Sequence, residues 1–311
     1  MVIAILGLIY HQLSNLDVHM FGAKILTYAS SSSQIGYLVV MVLMMPLNWW
    51  LESLKWQKLI SPHENISSKK ALKTILAGVA AGIVTPARLG EYAGRLITSN
   101  PDKKGEVVAA TFLGSVAQNL CNISIGILFS YYFLKNYFGA TYLDSITFFV
   151  VIIIHIVFLL MIYYKLPKVV NIFNKFGKLR PYVNKIERIN VYNQSLLNQV
   201  LLLSFCRYII YFIQYFLVMK FLDQDLAFLL VFSNISMIYL IQTGIPLPAF
   251  ISVFARGELA VLIWASLGLD ALTALTATFI LWTVNLIVPA FAGLWIIYKT
   301  DLSKFLKKKK E

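Results

Sequence analysis

The chain has 311 residues, of which 59% are hydrophobic, 14% aromatic and only 13% charged. A soluble domain carries about 25% charged residues, so this chain has too little polar surface to cover a water-soluble fold. The composition excludes a soluble enzyme, a disordered chain and a nucleic-acid-binding domain, and indicates an all-α, polytopic transmembrane helix bundle. Lys and Arg number 27 against 14 Asp and Glu, a formal net charge of +13. In an apolar chain this excess reads as basic cytoplasmic loops attracted to anionic lipid. Most of it is lysine, so each arginine is read individually. Cys121 and Cys206 lie in apolar segments without metal or disulfide spacing and read as small packing residues.

The apolar runs, in chain order, predict the spans. Residues 1–13 form a short run with no basic leader and no small-residue cleavage site, so it does not read as a signal peptide. Either residues 12–16 complete it or the true start lies upstream. A span over 34–51 follows and closes on the interfacial pair Trp49 and Trp50. Further runs cover 71–85, 106–133, 146–164, 196–221, 226–242, 249–267 and 271–298. Tyr131, Tyr132, Tyr163, Tyr164, Trp295 and Tyr298 stand at run ends, as in interfacial aromatic belts.

Loop charge orients the spans. Residues 52–73 hold five Lys and two Glu, 165–195 seven Lys or Arg and one Glu, and the tail 299–311 six Lys, one Asp and one Glu. Residues 134–144 are neutral overall, and 220–226 carry a net −1. The first three segments are therefore expected in the cytoplasm and the last two outside, in a plasma or inner membrane with a cytoplasmic C-terminus. Two segments, 71–98 and 226–268, would then enter and leave on one side. Both fit re-entrant helical hairpins, one from each face, the plan of an inverted-repeat transporter; the alternative is a set of simple spans with one misplaced loop. Residues 1–311 read as one membrane domain, with the lysines of 307–310 as a topology anchor on anionic headgroups.

Charge inside an apolar run is costly and is where function is sought. The run Thr85-Pro86-Ala87-Arg88-Leu89-Gly90-Glu91-Tyr92-Ala93-Gly94-Arg95 follows small residues at 78, 80, 81 and 82 that allow close helix packing. Pro86 cannot continue the preceding helix but suits the first turn of a new one. A half-helix is therefore expected near residue 86, with Thr85 as N-cap and Arg88 in its first turn. Its unpaired N–H groups favour an anion, and Arg88 opposes the dipole unless a negative group binds between them. Arg88, Glu91 and Arg95 share a face at i, i+3 and i+7, so Glu91 can pair with either arginine. Two readings stand. One is a self-satisfied interfacial cluster with Arg95 snorkelling. The other is a phosphate held by Arg88 and Arg95, with Glu91 orienting them or titrating.

The second half echoes this pattern. Gly244, Pro246 and Pro248 break an apolar run, and Arg256, Gly257 and Glu258 follow in hydrophobic surroundings. Paired breaks in corresponding halves point to a transporter site; the competing reading is an interfacial turn centred on Gly257. Arg207 lies deep in its apolar segment and is a candidate for the same basic pocket. Ser115, Gln118 and Asn122 form a polar stripe suited to interhelical hydrogen bonds, and His155, alone in its span, reads as a packing residue. No HExxH, GxSxG, P-loop or dinucleotide turn occurs, and the four histidines form no metal constellation. No catalytic residue, metal or cofactor is expected.

The run from Thr85 to Arg95 resembles the Pro-x-Arg-x-Gly-Glu core of the lysylphosphatidylglycerol synthase transmembrane region, also called the flippase-like family. Pro246, Pro248, Arg256, Gly257 and Glu258 match part of its second signature, with Ala249 and Phe250 in place of adjacent glycines. Where many members carry an acid–arginine pair and an Asp, this chain has Gly114, Ser115 and Gln118, which marks a divergent subgroup. The resemblance implies a protein that moves a lipid headgroup between leaflets or assists cell-envelope lipid or glycan metabolism. Aminoacyl transfer in multidomain relatives belongs to an additional soluble domain absent from this sequence, so the chain is not expected to be a lysyl transferase. The reading is a lipid translocase for an anionic phospholipid or polyprenyl-phosphate-linked headgroup. The alternative is a non-catalytic membrane partner of a glycosyltransferase or lipid synthase. The partners expected are anionic membrane lipids, with no nucleic acid.

Overall fold

A chain crossing lipid must satisfy its backbone N–H and C=O groups internally, which leaves helices as the economical solution. In the computed structural model, residues 18–83, 85, 88–138, 145–166, 191–244 and 249–300 are described, and among them the chain is helical with no strand. The helices are α1 (Val18–Ser30), α2 (Ser32–Ile60), α3 (Ser68–Gly82), α4 (Gly90–Thr98), α5 (Lys104–Phe138), α6 (Ser145–Tyr164), α7 (Gln194–Phe221), α8 (Phe228–Thr243), α9 (Ala249–Ala265), α10 (Ala271–Trp282) and α11 (Val288–Lys299). A 3-10 turn (Pro101–Lys103) leads into α5, and a π-helical segment (Thr283–Ile287) joins α10 to α11. Among the described residues, five stretches are long and apolar enough to cross a bilayer: α2, α5, α6, α7 and the α10–α11 rod. Ile146, Val150, Val151, Ile153, Ile154 and Phe158 stand exposed along α6, a face suited to lipid and not to water. His155 is exposed with them, so it does not pack inside the bundle as expected.

Several boundaries differ from the sequence expectation. Helix α1 is not foreseen by the apolar runs, and the run 1–13 lies outside the described residues. Helix α2 does not end at Trp49 and Trp50 but continues to Ile60. Trp49, Ser53, Trp56 and Ile60 recur at helical spacing and are all buried, so core packing carries the helix through Glu52 and Lys55. Tyr131 and Tyr163 are buried rather than interfacial, and the Tyr163 hydroxyl donates to the Leu197 carbonyl at 3.1 Å. Trp295 and Tyr298 are exposed, as an interfacial pair should be.

Helices α2 and α7 run antiparallel and form the axis of the bundle. The Gln214 amide of α7 donates to the Met41 carbonyl of α2 at 3.0 Å, one residue before the carbonyl that Pro46, lacking an N–H, leaves without its helical donor. Two apolar cores flank this axis. One gathers Trp56, Leu59, Ile75, Leu113 and Val200; the other gathers Met41, Phe212, Tyr215, Ile235 and Trp264. Both α2 and α7 pass from one core to the other, and the crossover falls near residues 48–52 and 204–211.

Two helix pairs fold back on themselves. Helix α4 returns antiparallel along α3 so closely that a Cβ on Gly94 would lie 2.2 Å from the Ala77 carbonyl oxygen, and one on Gly90 1.9 Å from that of Ala81. Helix α9 returns along α8, where the Asn234 amide donates to the Ile263 carbonyl at 3.3 Å. The last turn of α8 stops beside the middle of α5, where the Asn122 amide donates to Thr243 Oγ1 at 3.2 Å. At 1.5 Å per residue, α3, α4, α8 and α9 are about 22, 14, 24 and 26 Å long, each shorter than a hydrocarbon core of about 30 Å. The loops sort by charge. His63 of the α2–α3 loop packs edge-on against Tyr192 ahead of α7, with Glu106 at the start of α5 close by. At the opposite end Tyr28 lies near Asp223 and Asp270.

Close approach at Gly94 is a steric requirement. Gly94→Ala is expected to destabilise the detergent-solubilised protein by about 1–3 kcal/mol through overpacking. Gly22→Ala, whose Cβ meets nothing within 4 Å, leaves the thermal midpoint unchanged or slightly raised. Equal midpoints for the two variants would refute the tight α3–α4 pairing.

Candidate functional site

An ion cluster occupies the crossover between the two cores. Its centre is Glu52, on the face of α2 turned toward α7. Lys55, one turn on, places Nζ 2.7 Å from Glu52 Oε2. Arg207 of α7 pairs with the same oxygen, and Arg95 of α4 approaches Glu52 Oε1 at 3.4 Å. A carboxylate removed from water is costly on its own, and so is each cation; mutual pairing offsets both. Aromatic faces complete the enclosure. Trp56 lies 5.0 Å beneath the Arg95 guanidinium, and Trp49 and Tyr211 each lie 5.4 Å from that of Arg207, geometry favourable to a cation.

Neutral groups satisfy most of what remains. Arg207 donates from Nε to Asn48 Oδ1 at 2.8 Å, from Nη2 to the Tyr211 hydroxyl at 3.1 Å and from Nη1 to Gln118 Oε1 at 3.4 Å. Lys55 donates to the Gly114 carbonyl at 3.3 Å and to Gln118 Oε1 at 3.5 Å. Gln118 in turn donates to the Ser204 carbonyl at 3.2 Å. The α5 polar stripe therefore divides: Gln118 joins the cluster, Asn122 holds α8, and Ser115 bonds back to Thr111 within its own helix. A polar thread continues through Asn48, which donates to Asn285 Oδ1 at 3.3 Å. Asn285 sits in the π-helical segment, four residues before Pro289, whose missing N–H accounts for the local change in helical pitch.

The α3–α4 turn brings further charge. Helix α4 starts at Gly90 and not near residue 86, so Arg88 precedes the helix. Its φ of 56° is a left-handed conformation that costs a non-glycine residue about 1–2 kcal/mol. Thr85 serves the new helix from further back, its Oγ1 accepting from Gly90 N at 2.7 Å. Glu91 pairs with Arg88 and, at 3.4 Å, with Arg95. The Arg95 side chain is only 6% exposed, which does not fit snorkelling to an interface. Pro86 lies outside the described residues.

In the second half, Gly244 closes α8 as its C-cap, and Pro246 and Pro248 lie outside the described residues. Gly257 is not a helix break or an interfacial turn. It is buried inside α9, where a Cβ would meet Leu275 of α10 at 2.8 Å. Glu258 beside it is buried. Arg256 is half-buried, lies within electrostatic reach of Arg88, Tyr211 and Tyr239, and makes no ion pair with a carboxylate among the described residues.

The cluster grades from closed to open. Lys55 is 2% exposed and Arg88 40%. Within it Lys55, Arg88, Arg95, Arg207 and Arg256 stand against Glu52 and Glu91, so cations outnumber carboxylates. Arg95 and Arg207 are held by Glu52, leaving Arg88 and Arg256, one from each helix pair, as the least committed cations. Nε of Arg88 and of Arg95 has no hydrogen-bond acceptor. The arrangement can receive an anion; among the described residues no group of His, Cys, Asp or Glu could hold a metal ion. The central residues Glu52, Lys55 and Asn48 are absent from the sequence-derived site because they read as loop or span end. The signal for them was the continued helical spacing from Trp49 to Ile60.

A family model described as the lysylphosphatidylglycerol synthase TM region matches residues 1–293. Neither the curated proteins nor the solved structures contain a match.

Removing Glu52 would leave Lys55 and Arg207 buried without a carboxylate and Arg95 with Glu91 alone. Glu52→Gln is expected to lower stability by about 3–5 kcal/mol, the scale for breaking a buried pair. Glu64→Gln, which breaks the more open Glu64–Lys70 pair, costs at most about 1 kcal/mol. Thermal unfolding of the two variants in one detergent checks this, and similar midpoints would show that Glu52 does not organise the cluster.

Proposed function

The chain belongs to the lysylphosphatidylglycerol synthase transmembrane-region family, and from that premise and the excess of cations over carboxylates in the ion cluster we propose that it translocates a lipid with an anionic headgroup between leaflets. It is a multi-pass membrane protein of a lipid-handling family. In this reading the α3–α4 and α8–α9 pairs are re-entrant, one from each face, and bring Arg88 and Arg256 toward each other near the middle of the bilayer. The short helices and the separation of basic from acidic loops support that placement, with the basic end and the C-terminus in the cytoplasm.

The observation that carries the reading is that Arg88 and Arg256, from different helix pairs, lie within electrostatic reach of each other. Like charges repel strongly where water is scarce. A phosphate between them converts the repulsion into two charge-assisted contacts. Other groups have supporting tasks. Glu91 sets the position of Arg88, and the Glu52 cluster anchors Arg95 and Arg207 so that α4 and α7 present a fixed rim. Glu258 lies buried on α9.

Charge-assisted hydrogen bonds contribute about 1.5–3 kcal/mol each. The double variant Arg88→Ala with Arg256→Ala is therefore expected to slow translocation at least about 100-fold, at near-normal thermal stability. The measurement is headgroup-quenching of a fluorescent anionic phospholipid in proteoliposomes. Rates equal to those of the unaltered protein would discard the arginine site, and no translocation by the unaltered protein would leave the chain as a non-transporting partner of a lipid-modifying enzyme.

A further inference from the structure

An open polar pocket of about 480 Å³ lies at the acidic end of the bundle, lined by Ser31, Ser33, Gln34 and Tyr37 from the α1–α2 corner and by Lys220, Asp223, Gln224 and Asp225 from the α7–α8 turn. It is distinct from the ion cluster. Along α2, Tyr37 and Glu52 are 15 residues apart, about 22 Å; along α7, Lys220 and Arg207 are 13 residues apart, about 20 Å. A single headgroup does not reach both.

The lining has a definite chemistry. Lys220 donates to Asp225 at 2.6 Å, so those charges offset each other and Asp223 leaves the cavity with a net negative charge. An anion is disfavoured there. Ser31 occupies the N-cap position of α2 but makes no capping bond; its hydroxyl instead lies 3.1 Å from that of Ser33. The Gln224 amide donates to the Leu222 carbonyl at 2.9 Å, leaving its side-chain oxygen as an acceptor. Asp223 is held at φ 60°, a left-handed conformation that Asp tolerates better than most residues. Tyr37, 39% exposed, offers a flat apolar ring beside these groups. A carboxylate, two amides and paired hydroxyls around an aromatic face suit a ligand whose every polar group both donates and accepts, and which has an apolar face to stack.

We propose that this cavity is a binding site for a neutral hydroxylated ligand of the monosaccharide class, free or as the headgroup of a glycolipid. The site stands independently of lipid translocation through the arginines.

The test uses the full chain in a zwitterionic, sugar-free detergent for free ligands and in nanodiscs for lipid. Saturation-transfer NMR with methyl glycosides of the common hexoses reads the free source, and nanodiscs with or without a monoglycosyl diacylglycerol read the lipid source. Asp223→Asn, which keeps the left-handed backbone, and Tyr37→Ala should each weaken binding at least 10-fold while the thermal midpoint holds. Should Tyr37→Ala fail to fold, Asp223→Asn alone carries the comparison. Signal with the free glycoside, lost in the variants, establishes a soluble-sugar site. Signal only with the glycolipid, lost in the variants, establishes a headgroup site. No signal from either source, signal unchanged in the variants, or a response to Na⁺ or Ca²⁺ without one to sugar would overturn the proposal.

Discussion

One carboxylate lets three cations reside inside an apolar bundle. Glu52 contacts Lys55, Arg95 and Arg207, and those residues come from α2, α4 and α7. Electrostatic pairing therefore ties together three elements remote from one another in the chain. A buried ion pair contributes little net stability against an apolar substitute, but it specifies geometry. The observed placement of α2, α4 and α7 leaves none of these charges without a carboxylate, and it positions the α3–α4 turn and Arg88.

The arginines consequently divide by task. Arg95 and Arg207 have acidic partners, hydrogen bonds and aromatic faces, and they serve the architecture. Arg88 shares its one acid with Arg95, and Arg256 has none among the described residues. The strained backbone of Arg88 is consistent with that division, since unfavourable dihedrals concentrate where a side chain must be aimed. The second polar locus, near Tyr37 and Asp223, differs in sign and chemistry. The molecule thus presents a cation-rich interior and a hydroxyl-compatible cavity at separate levels of the same two helices.

Much of the plan was legible in the residues. The long apolar runs mark α5, α6, α7 and the α10–α11 rod because a span must be about 20 residues long and nearly free of charge. The Thr85–Arg95 run marks the first fold-back because a proline and small residues interrupt an apolar segment. The charged stretch after Trp50 misled because a Glu and two Lys following an apolar run look like a solvated loop. Nothing local distinguishes a carboxylate in water from one facing arginines 43 and 155 positions away.

Composition and periodicity alone determined that this chain is a helical membrane protein, where its main spans lie, and that Glu91 and Arg95 share one helical face. These are short-range properties, set by hydropathy over one span and by 3.6 residues per turn. Tertiary structure decided which charges are spent and which remain. It made Glu52 the hub, drew Arg207 into its shell and brought Arg256 near Arg88. Ion pairing in a medium of low dielectric depends on distances between helices remote in the chain, and those distances exist only once the bundle has packed.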